Sequence, residues 1–138
     1  MKIYLGAPVL YNGAEHHVTL LYIGAAPRPA LLGRDIQAVA DRFAPFCADF
    51  LERQPFGFHQ RVMAAVPEDP APFAGLFEAL VAACAPNRPT GSFRPHITGL
   101  VTPVSLCFSE IALMCKKTSL LRFPLSGETN TEDQTELF

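Results

Sequence analysis

The chain has almost no excess charge, no long apolar run and no metal-ligand spacing, and each lack excludes something. Its 138 residues carry 11 lysines and arginines against 13 aspartates and glutamates, a net charge of −2. Unspecific binding to long duplex nucleic acid needs many phosphate contacts, which this balance does not supply. A small nucleotide held by a few local groups is compatible with it. No stretch approaches the roughly 20 apolar residues that span a bilayer. The opening Met1-Lys2-Ile3-Tyr4-Leu5-Gly6 has too short an apolar run for a signal peptide, so no membrane partner is expected and the expected location is the cytoplasm.

The four cysteines, Cys47, Cys84, Cys107 and Cys115, form no C-x-x-C pair and lie in apolar stretches. They read as small buried residues in a reducing compartment. With the four histidines they could supply zinc ligands, but no C-x₂₋₄-C or H-x₃₋₅-H spacing is present, so neither metal nor cofactor is expected. A serine or cysteine nucleophile is equally unsupported, since no G-x-S-x-G occurs.

What the chain does have is apolar residues, 49% of the total against 17% charged, enough to build the core of one domain. Residues 2–10 read as a strand ending near Pro8, followed by a turn at Tyr11-Asn12-Gly13 and a buried strand over 16–23. Ile36, Val39, Ala40, Phe43, Phe46, Cys47, Phe50 and Leu51 recur at spacings of three and four, which predicts a helix over 34–53 with a kink at Pro45. A strand is expected over 56–66 and a second helix over 73–84, stopped by Pro86-Asn87-Arg88-Pro89. Further strands are expected at 92–102, 106–115 and 119–125. This order predicts an α+β domain over residues 1–126, with two helices packed on mostly antiparallel strands. The polar, acidic segment 127–138 reads as a mobile tail.

Two short motifs carry chemistry. They are His16-His17-Val18-Thr19-Leu20-Leu21-Tyr22 and Phe93-Arg94-Pro95-His96-Ile97-Thr98-Gly99-Leu100. Residues i and i+2 of a strand share a face. His17 and Thr19 therefore point together, with Val18, Leu20 and Tyr22 expected on the core face, and His96 and Thr98 pair in the same way. Cleaving a phosphodiester without metal takes one base and one acid, and imidazole, with a pKa near 6.5, suits both roles. Two threonine hydroxyls could donate to the non-bridging oxygens. One His-x-Thr would carry no information, whereas two in strand-like settings do.

The text HHVTLLYIG, followed 79 residues later by FRPHITGLV, resembles the 2H phosphoesterase superfamily, the 2'-5' RNA ligase-like (LigT-like) group with two H-x-[ST]-h motifs. The closing Leu120-Leu121-Arg122-Phe123-Pro124-Leu125 resembles the last strand of these proteins. The resemblance implies a two-lobed α+β fold with a central cleft, catalysis by His17, Thr19, His96 and Thr98, and no metal. It implies a phosphodiesterase acting on a small nucleotide, cyclic nucleotide or short oligonucleotide. Two chemistries fit: water opening a 2',3'-cyclic phosphate, or a ribose hydroxyl cutting 2'-5' or 3'-5' linkages, including those of cyclic oligonucleotide signals. A nucleotide-binding sponge using the same cleft without turnover is the alternative.

Other residues have weaker readings. Arg94, two before His96, could hold a phosphate or be an ordinary strand-edge charge. Tyr11 is the tyrosine best placed to stack on a base, and His59 could touch substrate or be structural. His16 reads as a rim residue and Lys116-Lys117 as a solvated strand end.

Overall fold

The computed structural model describes residues 2–24, 29–87 and 93–127. The first hairpin pairs β1 (Ile3–Tyr11) with β2 (Ala14–Gly24) through Asn12-Gly13. Both turn residues have positive φ, 54° and 80°, the conformation for which an Asn-Gly hairpin turn is suited. There follow α1 (Pro29–Ala40), β3 (Phe46–Phe56), β4 (Val62–Pro67), α2 (Ala71–Cys84), β5 (Ile97–Thr98), β6 (Val104–Phe108), β7 (Glu110–Cys115) and β8 (Thr118–Pro124). They form two antiparallel four-stranded sheets, ordered β2-β1-β7-β8 and β5-β4-β3-β6. The fold is α+β with two helices, as the sequence predicts.

One continuous core joins the two halves. Ile3, Leu5, Ala7 and Val9 of β1 and Val18, Leu20 and Leu21 of β2 meet Phe73, Leu76, Leu80 and Val81 of α2. Under the second sheet Phe73 sits edge-on to Phe46 and Phe108, both with ring centroids 5.0 Å away. Phe50, Phe73 and Phe108 are fully buried, each contributing about 1.5–3 kcal/mol by leaving water. Asp69 accepts a hydrogen bond from the Ala71 amide at 3.0 Å, which with Pro70 and Pro72 starts α2.

Several elements differ from the sequence reading. The helix expected over 34–53 ends at Ala40, and Phe46–Phe56 is a strand. The chain tightens through Arg42 N–H to Val39 and Phe43 N–H to Ala40 carbonyls, and Pro45 has no N–H with which to resume helix. Beyond it Ala48 and Phe50 are buried while Cys47, Asp49 and Leu51 are exposed, a period of two that the spacing of the bulky residues hid. The strand expected over 56–66 is the end of β3, a 3-10 turn (Phe58–Gln60) and β4. Left-handed backbone at Gly57, His59 and Gln60 reverses the chain there. Of the described residues of the strand expected over 92–102, only Ile97–Thr98 pair, bonded to β4, and the run 106–115 is two strands in different sheets. Its break at Ser109 shows in the burial phase: Leu106 and Phe108 point into the main core, then Ile111 and Leu113. β1 runs through Pro8, since beyond Gly6 it no longer has β7 as a neighbour and a proline there costs no ladder bond on that side.

The cysteines are a further correction. Cys47 and Cys107 stand opposite one another in the β3–β6 register and form a disulfide, Cα–Cα 3.9 Å, and both are exposed. Their separation of 60 residues conceals a pairing that only strand register creates. Cys84 and Cys115 are free and half-buried, and burial pushes the Cys84 thiol up to about 11. No helix among the described residues is long and apolar enough to cross a membrane. Of the segment expected as a tail, Gly127 donates to the Phe43 carbonyl at 3.0 Å, and residues 128–138 lie outside the described residues.

Candidate active site

β2 and β5 are edge strands, one of each sheet, and they face one another. Between them lies a cleft of about 510 Å³ whose lining includes His17, Thr19, His96 and Thr98. Each strand carries its own histidine and threonine to this one place. His16 and Glu15, at the start of β2, also contribute to the lining.

The His17 side is built on the face of the first sheet that points away from the main core. In register, Pro8 lies opposite His17, Gly6 opposite Thr19 and Tyr4 opposite Tyr22. Leu20 is the extra residue at a bulge, because the partners pass from Gly6–Thr19 directly to Leu5–Leu21. Leu20 and Leu21 are consequently both buried, at 2% and 3%, and Tyr22 turns out to the cleft, 64% exposed. This overturns the expected placement of Tyr22 on the core face. A bulge adds one residue to one strand and reverses its alternation, re-aiming the side chains that follow it up to the next register shift, which here comes just after Tyr22. Gly6 lies under the imidazole. A Cβ there would come within 3.3 Å of the Val18 carbonyl oxygen and 3.5 Å of His17 Cδ2.

Burial holds the His17 imidazole below its ordinary pKa; Glu15 pulls the other way, while His16, His96 and Lys117 push it further down. Glu15 is itself paired with Arg122 of β8, whose guanidinium also holds Glu110 at 2.8 Å. The neutral form of His17 is therefore favoured.

His96 is oriented differently. Its Nδ1 lies 2.8 Å from the Arg94 carbonyl oxygen, which can only accept, so Nδ1 carries a hydrogen and Nε2 is left for proton exchange. The ring stacks on Phe56 at 4.0 Å with 22° between planes. Pro95 precedes it and Gly99 (φ 79°) follows Thr98, confining the strand to the two residues that bond β4.

The remaining sequence candidates lie apart from this lining. The Arg94 guanidinium rests over the Phe56 ring, 4.0 Å from its centroid, and donates to Gln54 Oε1 at 3.3 Å. Tyr11 is exposed at the end of the first hairpin, and His59 is exposed in the 3-10 turn beside Phe58, with φ 57°. Sequence reasoning missed Tyr22, Gly6, Glu15 and Phe56. Glu15, two before His17, shares its face by strand alternation, a signal present in the sequence. Only the bulge, the register and the packing of the two sheets bring the other three to the site, and none of these leaves a local signature. Among the described residues no three His, Cys, Asp or Glu side chains converge as metal ligands would.

Two antiparallel sheets, each bringing a His-x-Thr from an edge strand to a shared cleft, are the arrangement expected of the 2H phosphoesterase superfamily. The family model for the 2'-5' RNA ligase superfamily matches residues 5–124, and the chain belongs to that superfamily. Among solved structures it resembles TT0787 of Thermus thermophilus, at 19% identity and TM-score 0.66 over 94% of this chain and 100% of that one. It also resembles E. coli LigT complexed with NADP+, at 19% identity and TM-score 0.67 over 91% and 98% of the two chains. LigT complexed with 3'-AMP matches at 18% identity and TM-score 0.61, over 91% and 98%. At these identities the likeness establishes the fold. No curated protein matches the chain.

Proposed function

We propose that the chain is a metal-independent phosphodiesterase acting on RNA-like nucleotides, with His17, Thr19, His96 and Thr98 as its catalytic residues. The observation that carries this reading is the convergence of both His-x-Thr pairs on one cleft from the edges of two separate sheets. His17, kept neutral by burial, takes the proton from the attacking hydroxyl. His96, with Nδ1 committed to the Arg94 carbonyl, delivers a proton from Nε2 to the leaving oxygen. The two threonine hydroxyls donate to the non-bridging oxygens as charge builds on them. The attacking group in that direction is a ribose hydroxyl at a 2'-5' or 3'-5' linkage, cyclic oligonucleotides among them. For water opening a 2',3'-cyclic phosphate the same pair works in the opposite direction, His96 taking the proton and His17 returning one to the ribose oxygen. The small nucleotides in the LigT complexes, 3'-AMP and NADP+, support a substrate of this size.

The test is product analysis by mass in EDTA, with 2',3'-cyclic nucleotides, 2'-5' and 3'-5' dinucleotides and cyclic oligonucleotides. We expect turnover of at least one class, and a loss of about 10²–10⁴-fold in His17→Ala or His96→Ala. Ligand bound and recovered intact would make the protein a sponge. Turnover that requires added divalent metal would overturn the mechanism.

A further inference from the structure

A second depression, of about 830 Å³, opens beside His17 and shares His17, Tyr22 and Lys117 with the catalytic cleft, so the two adjoin at those side chains. The chain has three lysines, Lys2, Lys116 and Lys117, and all three line it; every other basic residue is an arginine. Among the described residues none of the three pairs with a carboxylate. Between them lies an aromatic floor, Tyr4 and Tyr22 with ring centroids 5.4 Å apart, and Tyr22 is 64% exposed. Ammonium groups around an exposed aromatic surface suit a phosphate next to a base, the lysine acting as a point charge and the ring as a stacking platform.

The β7–β8 turn supports this reading. Lys116 adopts φ 56°, left-handed backbone that a side chain rarely takes and where glycine or asparagine would sit more easily. The Tyr4 hydroxyl donates to the Lys116 carbonyl, tethering the turn to β1 beside His17. Burial keeps that hydroxyl protonated, because Tyr4 is raised above its ordinary pKa. The turn thus accepts an uncomfortable residue and is pinned where its ammonium reaches the groove.

We propose that this groove is a second phosphate subsite, which binds the nucleotide carrying the attacking hydroxyl and reads its 5'-phosphate. The substrate is then an oligonucleotide with a phosphate beyond the one cleaved. The assignment rests on the phosphodiesterase reading, in which His17 is the base and the attacking ribose lies on its side. It extends that reading from a reaction to a substrate class.

The experiment compares ApA with 5'-phosphorylated pApA, in 2'-5' and 3'-5' forms, using the full chain and the Lys2→Ala/Lys116→Asn variant. Asparagine tolerates the left-handed turn while removing the charge. We expect kcat/KM to favour pApA by tenfold or more, and the preference to collapse toward unity in the variant. No preference in the parent, or a preference retained in the variant, overturns the subsite. The His17→Ala/His96→Ala protein supplies a second readout, equilibrium binding of pApA between about 50 and 200 mM salt. There the lysine substitutions should weaken binding of pApA and flatten the slope of its salt dependence, since fewer charges remain to be screened. No binding or an unchanged slope overturns the subsite. Absence of turnover with the slope flattened would remove the catalytic reading and keep the subsite.

Discussion

His17 and His96 are the same residue type in the same motif, yet their surroundings prepare them for different tasks. His17 is half-buried beside Tyr4, ring centroids 5.4 Å apart, and desolvation keeps it below the ordinary imidazole pKa of 6.5. His96 is stacked on Phe56 and bonded to backbone through Nδ1. Glu15 alone raises the His17 pKa, so Glu15→Gln should move the acid limb of the kcat/KM profile further down, and the shift is measurable by pH-rate titration. An acid limb that rises, or stays in place, would remove Glu15 from control of the site. The same depression has a stability sign. Protonation of His17 favours the unfolded chain, so its contribution is complete above pH 6.5 and erodes as pH falls from there through the folded pKa. Both histidines and both threonines were legible in the sequence, because a motif with period two carries its own geometry. Phe56 was not, since its role comes from a contact across the fold, whereas Glu15, two before His17, shares its face by the same period of two.

At the scale of elements the first hairpin decides the shape of the site. β1 must pass close beneath β2 for His17 to settle, and Gly6 permits it. Gly6→Ala places a methyl 3.3 Å from both the Val18 carbonyl oxygen and Met114 Sδ, which must yield by a few tenths of an ångström, and in van der Waals contact with His17 Cδ2, so that the strand carrying His17 shifts. We expect kcat to fall by roughly tenfold through misplacement of the imidazole, with the melting temperature little changed; wild-type kcat would show that the ring does not depend on this spacing. The hairpin's turn could be read from Asn12-Gly13, and its bulge could not. Leu20 and Leu21 are both apolar, and a strand of apolar residues looks the same with or without an extra one. The single helix expected over 34–53 failed for a related reason: Phe43, Phe46, Phe50 and Leu51 fit a helical spacing, while only pairing with β4 and β6 makes residues 46–56 a strand.

At the scale of the whole molecule two sheets share one core and meet at their open edges, and the connections between them hold the cleft. β6 and β7 are consecutive and belong to different sheets, so Ser109 is a crossing point, and its carbonyl accepts from the Leu125 amide at 2.9 Å. Ser126 and Gly127 then bond to the carbonyls of Ala40 and Phe43 at the end of α1. The Cys47–Cys107 disulfide staples β3 to β6 across 60 residues of sequence. Closing a loop of that length restricts the unfolded chain, so Cys47→Ser/Cys107→Ser, or reduction, should cost about 2–4 kcal/mol in a urea titration. A parent and variant of equal stability under non-reducing conditions would show that the bridge contributes nothing.

By itself the sequence determined the apolar composition that builds one core, the α+β class, and the two His-x-Thr pairs with the superfamily they mark. These are local facts: strand alternation and motif spacing are properties of neighbouring residues. Tertiary structure alone decided that the two pairs face one another, that Tyr22 joins them and that Arg94 turns to Gln54 and Phe56. It also gathered the three lysines beside His17 and brought two distant cysteines together. All of these depend on strand register and on how two sheets pack, and register is a relation between segments far apart in the chain.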